Sequence, residues 1–242
     1  MSDPGSSPAH ERVARAVPTG HVLAWYGEAM RLWRVAPGTF AALAAVAIGG
    51  QVLLELIPIA GVLIEQVVVP LLECSLLYAS LAADRGDKPR MRHLLAVLGA
   101  PVRAQITVVA AGLLTFGIEV YAIDAVTGID LLSPMRERES EPVSTLLLIV
   151  AINVLASLPF MFVAPAALLD DAGFAAAFRA SMNAYARNVL PLLLYGVLVF
   201  GFTLFGLITS GIGLLLAGPW VAASSYAAWK DVFDVEAGRR TA

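Results

Sequence analysis

Residues 37–88 read PGTFAALAAVAIGGQVLLELIPIAGVLIEQVVVPLLECSLLYASLAADRGDK, and this stretch decides the fold. From Pro37 to Ile57 nearly every side chain is apolar. As a helix that run reaches about 31 Å, enough to cross the hydrocarbon core of a bilayer. At Ile57-Pro58-Ile59-Ala60-Gly61, proline and glycine set a tight turn. The chain then returns through Val62 to Ala83 and leaves at Asp84-Arg85-Gly86-Asp87-Lys88. This is a hydrophobic hairpin with a charged exit.

The pattern recurs twice. Gln105 to Ile123 and Thr145 to Leu169 form a second pair of runs, and Val189 to Ile208 and Gly213 to Trp229 a third. Thr209-Ser210-Gly211 turns between the last two. The second pair is joined by Asp124 to Pro142, which carries Asp124, Asp130, Glu137, Glu139 and Glu141 with Arg136 and Arg138. Those two arginines are the only basic residues on that side. The other 14 of the chain's 16 share the opposite side. Lysine and arginine accumulate on the cytoplasmic side. The sequence therefore predicts an inner-membrane, multi-pass protein with N and C termini cytoplasmic and residues 125–142 outside.

Composition agrees. The chain has 242 residues, 59% hydrophobic and only 14% charged, against about a quarter charged in soluble domains. A net charge of −3 argues for no nucleic-acid partner. Cys74 is the single cysteine, so neither an intrachain disulfide nor a cysteine metal site can form. Residues 1–20 are polar, lack an apolar core, and read as a disordered cytoplasmic tail rather than a cleavable signal. Residues 21–234 read as one six-span domain and 235–242 as a second cytoplasmic tail.

A different segment precedes each hairpin. His21 to Arg34 sets Val22, Trp25, Tyr26, Met30 and Trp33 apart from Glu28, Arg31 and Arg34, the spacing of an amphipathic helix. Lys88 to Ala100 is similar: Asp87 is placed to cap, Pro89 suits the first turn, and Met91, Leu94, Leu95 and Leu98 make the apolar face. In Asp170 to Asn188, Phe174, Phe178, Met182 and Tyr185 form an apolar stripe and Arg179, Asn183 and Arg187 a polar ladder. The expected fold class is thus all-α and integral to the membrane: six transmembrane helices as three hairpins, each preceded by an amphipathic interfacial helix. The unit repeats. Its return spans carry Pro70, Pro159 and Pro219, and acids follow at their exits: Asp84, Asp170 with Asp171, and Asp231.

Trp25, Arg31-Leu32-Trp33-Arg34 and Pro37 resemble the opening of an uncharacterised family of bacterial six-span membrane proteins. Ile57-Pro58 with Gly61, Pro70 with Ser75, Ala83-Asp84-Arg85-Gly86, Ala180-Ser181 with Asn188, and Ser225-Tyr226 with Asp231 and Phe233 continue that resemblance over about residues 22 to 234. A weaker similarity is to the membrane domain fused to some glycerophosphodiester phosphodiesterases. The resemblance implies a multi-pass inner-membrane fold and no particular chemistry. The acidic outside loop is longer than that family leads one to expect.

The unusual chemistry lies in acids within apolar runs: Glu55, Glu65, Glu73 and Glu119. An ionised carboxylate costs several kcal/mol at the bilayer centre unless paired or hydrated. Glu55, Glu65 and Glu119 are expected in the outer third, where with Asp124 they form a candidate acidic pocket. Glu73 is the deepest. Two readings stand for it: a protonated or hydrogen-bonded structural acid, with Gln51, Gln105 or Asn153 as partner, or an ion or proton site. The surface helices likewise have two. Their arginines set topology, or Arg31, Arg34, Arg90, Arg92, Arg179 and Arg187 contact lipid headgroups. His10, His21 and His93 have no metal-ligand spacing, and no nucleotide loop, nucleophile elbow or zinc-protease motif occurs. Neither metal nor cofactor is expected. The functional expectation is a non-enzymatic membrane protein that interacts with lipid or assists an envelope complex, its partners being membrane lipids and a second membrane protein or copy. The rival is a small transporter or channel for a cation or small solute.

Overall fold

The computed structural model describes residues 13–57, 60–131 and 142–235. Arg136, Arg138, most of the outside loop, residues 1–12 and the tail from 236 lie outside the described residues. The described chain is helical, without strands. In order the helices are α1 (His21–Val35), α2 (Pro37–Glu55), α3 (Ala60–Asp84), a 3₁₀ helix (Met91–Gly99), α4 (Val102–Thr127), α5 (Val143–Ser157), a 3₁₀ turn (Leu158–Phe160), α6 (Val163–Leu169), α7 (Phe174–Arg187), α8 (Val189–Ile208) and α9 (Ile212–Val232). Six of these stretches are long and apolar enough to cross a membrane, the fourth being the composite Val143–Leu169.

The spans form a closed ring. α2 pairs with α3, α4 with α5, and α8 with α9 as hairpins. Contacts of α3 with α4, α5 with α8 and α9 with α2 close the circle, and α3 also meets α9 directly. The shorter helices crown one end, the collar end; the hairpin turns mark the other. Each collar helix docks on the return span of the preceding hairpin: the 3₁₀ helix on α3, α7 on α6 and, closing the cycle, α1 on α9. The repeated unit read in the sequence thus becomes a cyclic arrangement.

The core lies at the collar end. Along α3, apart from Gly61 at the turn, the buried positions are Cys74, Ser75, Leu76, Leu77, Ala79, Ser80, Ala82 and Ala83, with none from Leu63 to Glu73. In α2 the buried residues Phe40, Leu43, Ala44 and Ala47 precede an exposed second half. The central cluster joins Trp25 and Leu32 of α1 to Leu77, Leu158, Phe162, Tyr195, Tyr226 and Trp229.

The three prolines act differently. Pro70 and Pro219 lie inside continuous helices. Pro159 instead breaks the fourth span between α5 and α6. A proline removes one backbone donor and displaces its neighbours, and in lipid the freed groups need a partner. Ser181 of α7 supplies it: its hydroxyl donates to the Pro159 carbonyl at 2.7 Å and accepts the Phe162 N–H at 3.2 Å. α7 reaches the break through a stripe of small residues, with Ala177, Ser181 and Ala184 buried. The larger stripe of Phe174 and Met182 turns outward, 50% and 37% exposed.

Two local expectations differ from the structure. The segment after Asp87 is a 3₁₀ helix starting at Met91, and Asp87 does not cap it. Gly86, at φ 81°, ends α3 with its N–H on Ala83, while the Asp87 N–H bonds Ala82. The Asp87 main chain thus closes the previous helix, and the 3₁₀ helix starts too far along, with Arg90 at its N-cap, for the Asp87 side chain to cap it. Residues 13–20, assigned to the tail, lie against the bundle. Ala14 and Val17 are buried, the Arg15 N–H bonds the Val232 carbonyl, and Asn188 bonds both Val17 and Arg15.

α3 and α4 approach closely at one point. A Cβ on Gly112 would stand 2.8 Å from Cγ of Pro70. Gly112→Val is expected to force the two spans apart and lower stability by about 1–3 kcal/mol, read as thermal unfolding in detergent. Gly117→Val, on the same helix with open space at its Cβ, is the matched control. Equal melting of the two variants would contradict this packing.

Candidate functional site

The intramembrane acids do not gather in one pocket. Glu55 and Glu65 meet near the first hairpin turn, where the Gln51 amide donates to Glu55 at 3.4 Å and also reaches Glu65. Asp124 and Asp130 line an open depression of about 450 Å³ with Phe116, Gly117, Val120 and Tyr121. Glu119 is half-buried and lies seven residues after Gly112. It therefore shares the face of α4 that abuts Pro70 of α3.

Glu73 is different. At about 100° per residue, Glu73, Leu77, Ser80 and Asp84 fall within about 60° of one another on α3. Leu77 is 8% and Ser80 0% exposed, and the Asp84 side chain 4%. Glu73, on the same face, is exposed. Ile64, nine residues earlier and so on the opposite side, is also exposed, at 44%. In its looser half α3 is thus exposed on opposite faces, and the Glu73 face is the one that continues into the central packed cluster at Leu77. α9 repeats the pattern. Leu216, Ala223 and Lys230 are spaced by seven; Lys230 bonds Asp84 and Ala223 is fully buried, yet Leu216 is 56% exposed. Across the ring, Asn153 and Ser157 of α5 line a depression of about 220 Å³ with Val150, Val154 and Thr203. The spans are therefore packed at the collar end and splayed toward the turns. Glu73, Glu119, Asn153, Ser157 and Thr203 lie in this looser half, termed the crevice below. The buried cluster with Leu77, Leu158 and Phe162, its floor, lies at the collar end.

The partners expected for Glu73 are engaged elsewhere or apart from it. Gln51 serves Glu55, and Gln105 donates to the Ala100 carbonyl at 2.9 Å. Among the described residues Glu73 has no hydrogen bond or ion pair.

Beneath the floor lies a polar lock that the sequence reading missed. Asp84 accepts from Arg31 at 2.8 Å, from Lys230 at 2.7 Å and from the Tyr226 hydroxyl at 3.0 Å. Arg31 also holds Glu28 through two bonds of 2.6 and 2.8 Å. Asp231 accepts from Arg15, His21 and the Trp25 indole at 2.6–2.8 Å. Arg103 pairs with Asp171. Asp84, Asp171 and Asp231, flagged at the return-span exits, thus each tie their span to another segment. The missing signal was the cations: Lys230 and Arg15 stand far from Asp84 and Asp231 by sequence or span, and only the cyclic docking brings α1, α3 and α9 together. Of the arginines proposed for headgroups, Arg31 is spent in this lock and Arg187 donates to the Ala14 carbonyl at 2.9 Å. Arg34, Arg90, Arg92 and Arg179 have exposed side chains.

Asp84 is nearly inaccessible, so removing its charge strands Lys230 and Arg31. Asp84→Asn is expected to cost about 3 kcal/mol or more, measured by unfolding in detergent. A second change, Lys230→Met, should restore part of that loss. No recovery in the double variant would show that the two groups are not coupled. The lock is also acid-sensitive. The hydrogen bond from Arg31 holds the Glu28 carboxyl below the ordinary carboxylate range, against the opposing effect of burial. Its folded value lies below its unfolded one, so the stability it supplies is complete above about pH 4.3 and is lost as the pH falls through the lowered value. Amide exchange in α1 should rise through that acid window and do so less in Glu28→Gln; identical profiles would count against the assignment.

No protein-family model, no curated protein and no solved structure matches the chain.

Proposed function

We propose that the protein is a six-span inner-membrane transporter or channel that admits a small cation or cationic solute into the crevice, with Glu73 as its ligand. One observation carries this reading: a carboxyl group midway along an apolar span, exposed in the looser half and, among the described residues, without a hydrogen bond or ion pair. An ionised acid at that depth costs several kcal/mol unless it is paired or hydrated, and no described residue supplies the partner that a purely structural role needs. Neutral oxygen donors at Asn153, Ser157 and Thr203 across the ring suit a partly dehydrated cation. The break at Pro159 adds irregular backbone next to Ser157 of the α5 depression, held by Ser181.

The orientation rests on charge. With fourteen basic residues assigned by the sequence to one side and two to the other, this reading makes the collar cytoplasmic and the crevice outward-opening. The lock of Asp84, Arg31, Lys230 and Tyr226 then seals the cytoplasmic end.

Proteoliposomes carrying the full chain, challenged in turn with proton, sodium and potassium gradients, test the reading. The wild type should pass at least one of these ions, and Glu73→Gln should reduce that flux about tenfold or more while its melting temperature holds, since the amide keeps the size of the side chain. A wild type that passes none, or a variant that conducts equally, overturns it.

A further inference from the structure

Two sets stand out among the collar's described cations. Arg15, Arg31, Arg103 and Lys230 are bound to acids, and Arg187 to a backbone carbonyl. Arg34, Lys88, Arg90 and Arg92 are exposed, and their side chains make no ion pair among the described residues. They lie on two segments that flank one packed cluster. Trp33, next to Arg34, and Leu94, two positions from Arg92, pack on one cluster formed by Phe40, Leu43, Ala44, Leu76 and Ala79. The end of α1 and the 3₁₀ helix therefore flank the same side of the first hairpin. The nearest acids give little compensation: Asp84 is taken by the lock, and Asp87 is a single exposed carboxylate.

Directly beside these charges the surface becomes apolar. With three residues per turn, Arg92, Leu95 and Leu98 share one column of the 3₁₀ helix, and the two leucines are 61% and 59% exposed. Met91 is 44% exposed. The strip continues down α4 through Val102 and Ile106, 69% and 58% exposed. Leu94 and Val97, on the neighbouring column, fix the helix to the bundle. The outward leucines are thus held in place without any packing of their own.

A cluster of unpaired guanidinium groups above an apolar strip has a specific complement: a phosphate ester with hydrocarbon attached. Guanidinium binds phosphate oxygens in a planar, two-pronged fashion that a hydrated ammonium does not match. A soluble anion would leave Leu95, Leu98, Val102 and Ile106 uncovered, and an acidic peptide has no reason to follow the strip into the span. We infer that the corner between α1 and the 3₁₀ helix is a binding site for one anionic glycerophospholipid, its phosphate held by Arg34, Arg90 and Arg92 and an acyl chain laid along Leu98, Val102 and Ile106. The site is independent of the Glu73 crevice, on the opposite side of α3.

Native mass spectrometry of the full chain in detergent, with phosphatidylglycerol or phosphatidylcholine of the same acyl chains, tests it. The wild type should retain one phosphatidylglycerol in preference to phosphatidylcholine. Arg34→Gln/Arg90→Gln/Arg92→Gln should lower that retention about tenfold or more, since each basic group near a membrane surface contributes about 1 kcal/mol. Should the triple variant unfold, Arg92→Gln and Arg90→Gln taken singly should each show a graded loss. Equal retention of the two lipids, or variants that retain phosphatidylglycerol as the wild type does, overturns the site. Displacement of the lipid by millimolar inorganic phosphate also overturns it, because a soluble anion would then suffice.

Discussion

A carboxylate withdrawn almost entirely from solvent must be surrounded by donors, and the architecture depends on how Asp84 meets that requirement. Its three donors come from two other helices: Arg31 from α1, and Lys230 and Tyr226 from α9. The nearest of these is 53 positions away in the chain and the farthest 146. No local arrangement of α3 could supply them. The acid therefore fixes where the first collar helix and the last span must lie, and the ring is closed by the same contacts that satisfy one charge.

The same logic, weaker each time, is repeated around the ring. Asp231 binds the N-terminal segment and α1 to α9, and Asp171 ties α4 to the loop before α7. Between these polar ties, packing is done by small side chains. Ala177, Ser181 and Ala184 let α7 lie close against the broken fourth span, and Gly112 lets α4 touch Pro70. In lipid, close approach and interhelical hydrogen bonds replace the hydrophobic drive that packs soluble helices. The packed collar half and the splayed turn half follow from where these devices are placed, since from Leu63 to Glu73 α3 has no buried residue.

Much of this was legible from residues alone. The six spans, their pairing and the three intervening helices follow from apolar run length and from the turns at Gly61 and Gly211. The acids at the return-span exits were visible as a repeat. Their partners were not, because apolar sequence does not reveal which helices are neighbours, and Lys230 and Arg15 look like topology charges until α1 is seen against α9. The small-residue face of α7 was hidden beneath the more conspicuous Phe174, Phe178, Met182 and Tyr185. Length and hydropathy placed Glu73 deep within a span. They could not say whether it pointed to lipid, to a neighbour or to open space, because that depends on the splay of the helices around it. The local misreading at Asp87 has a simple cause: its main chain finishes the previous helix, and the next one starts too far along for its side chain to cap.

The docking of α1 on α9 has a consequence for the order in which the protein can be made. Ile212 lies 191 positions after His21 (212 − 21). At about 5–20 residues per second, the ribosome needs roughly 10–40 s to deliver the helix on which α1 comes to rest. Throughout that interval α1 has no berth, and Asp84 has at most Arg31 for company. The tryptophans and arginines of α1 suit a wait at the membrane surface, where such residues reside comfortably. Closure of the ring thus waits on α9, and a ribosome that stalls before α9 leaves two hairpins with their collar undone.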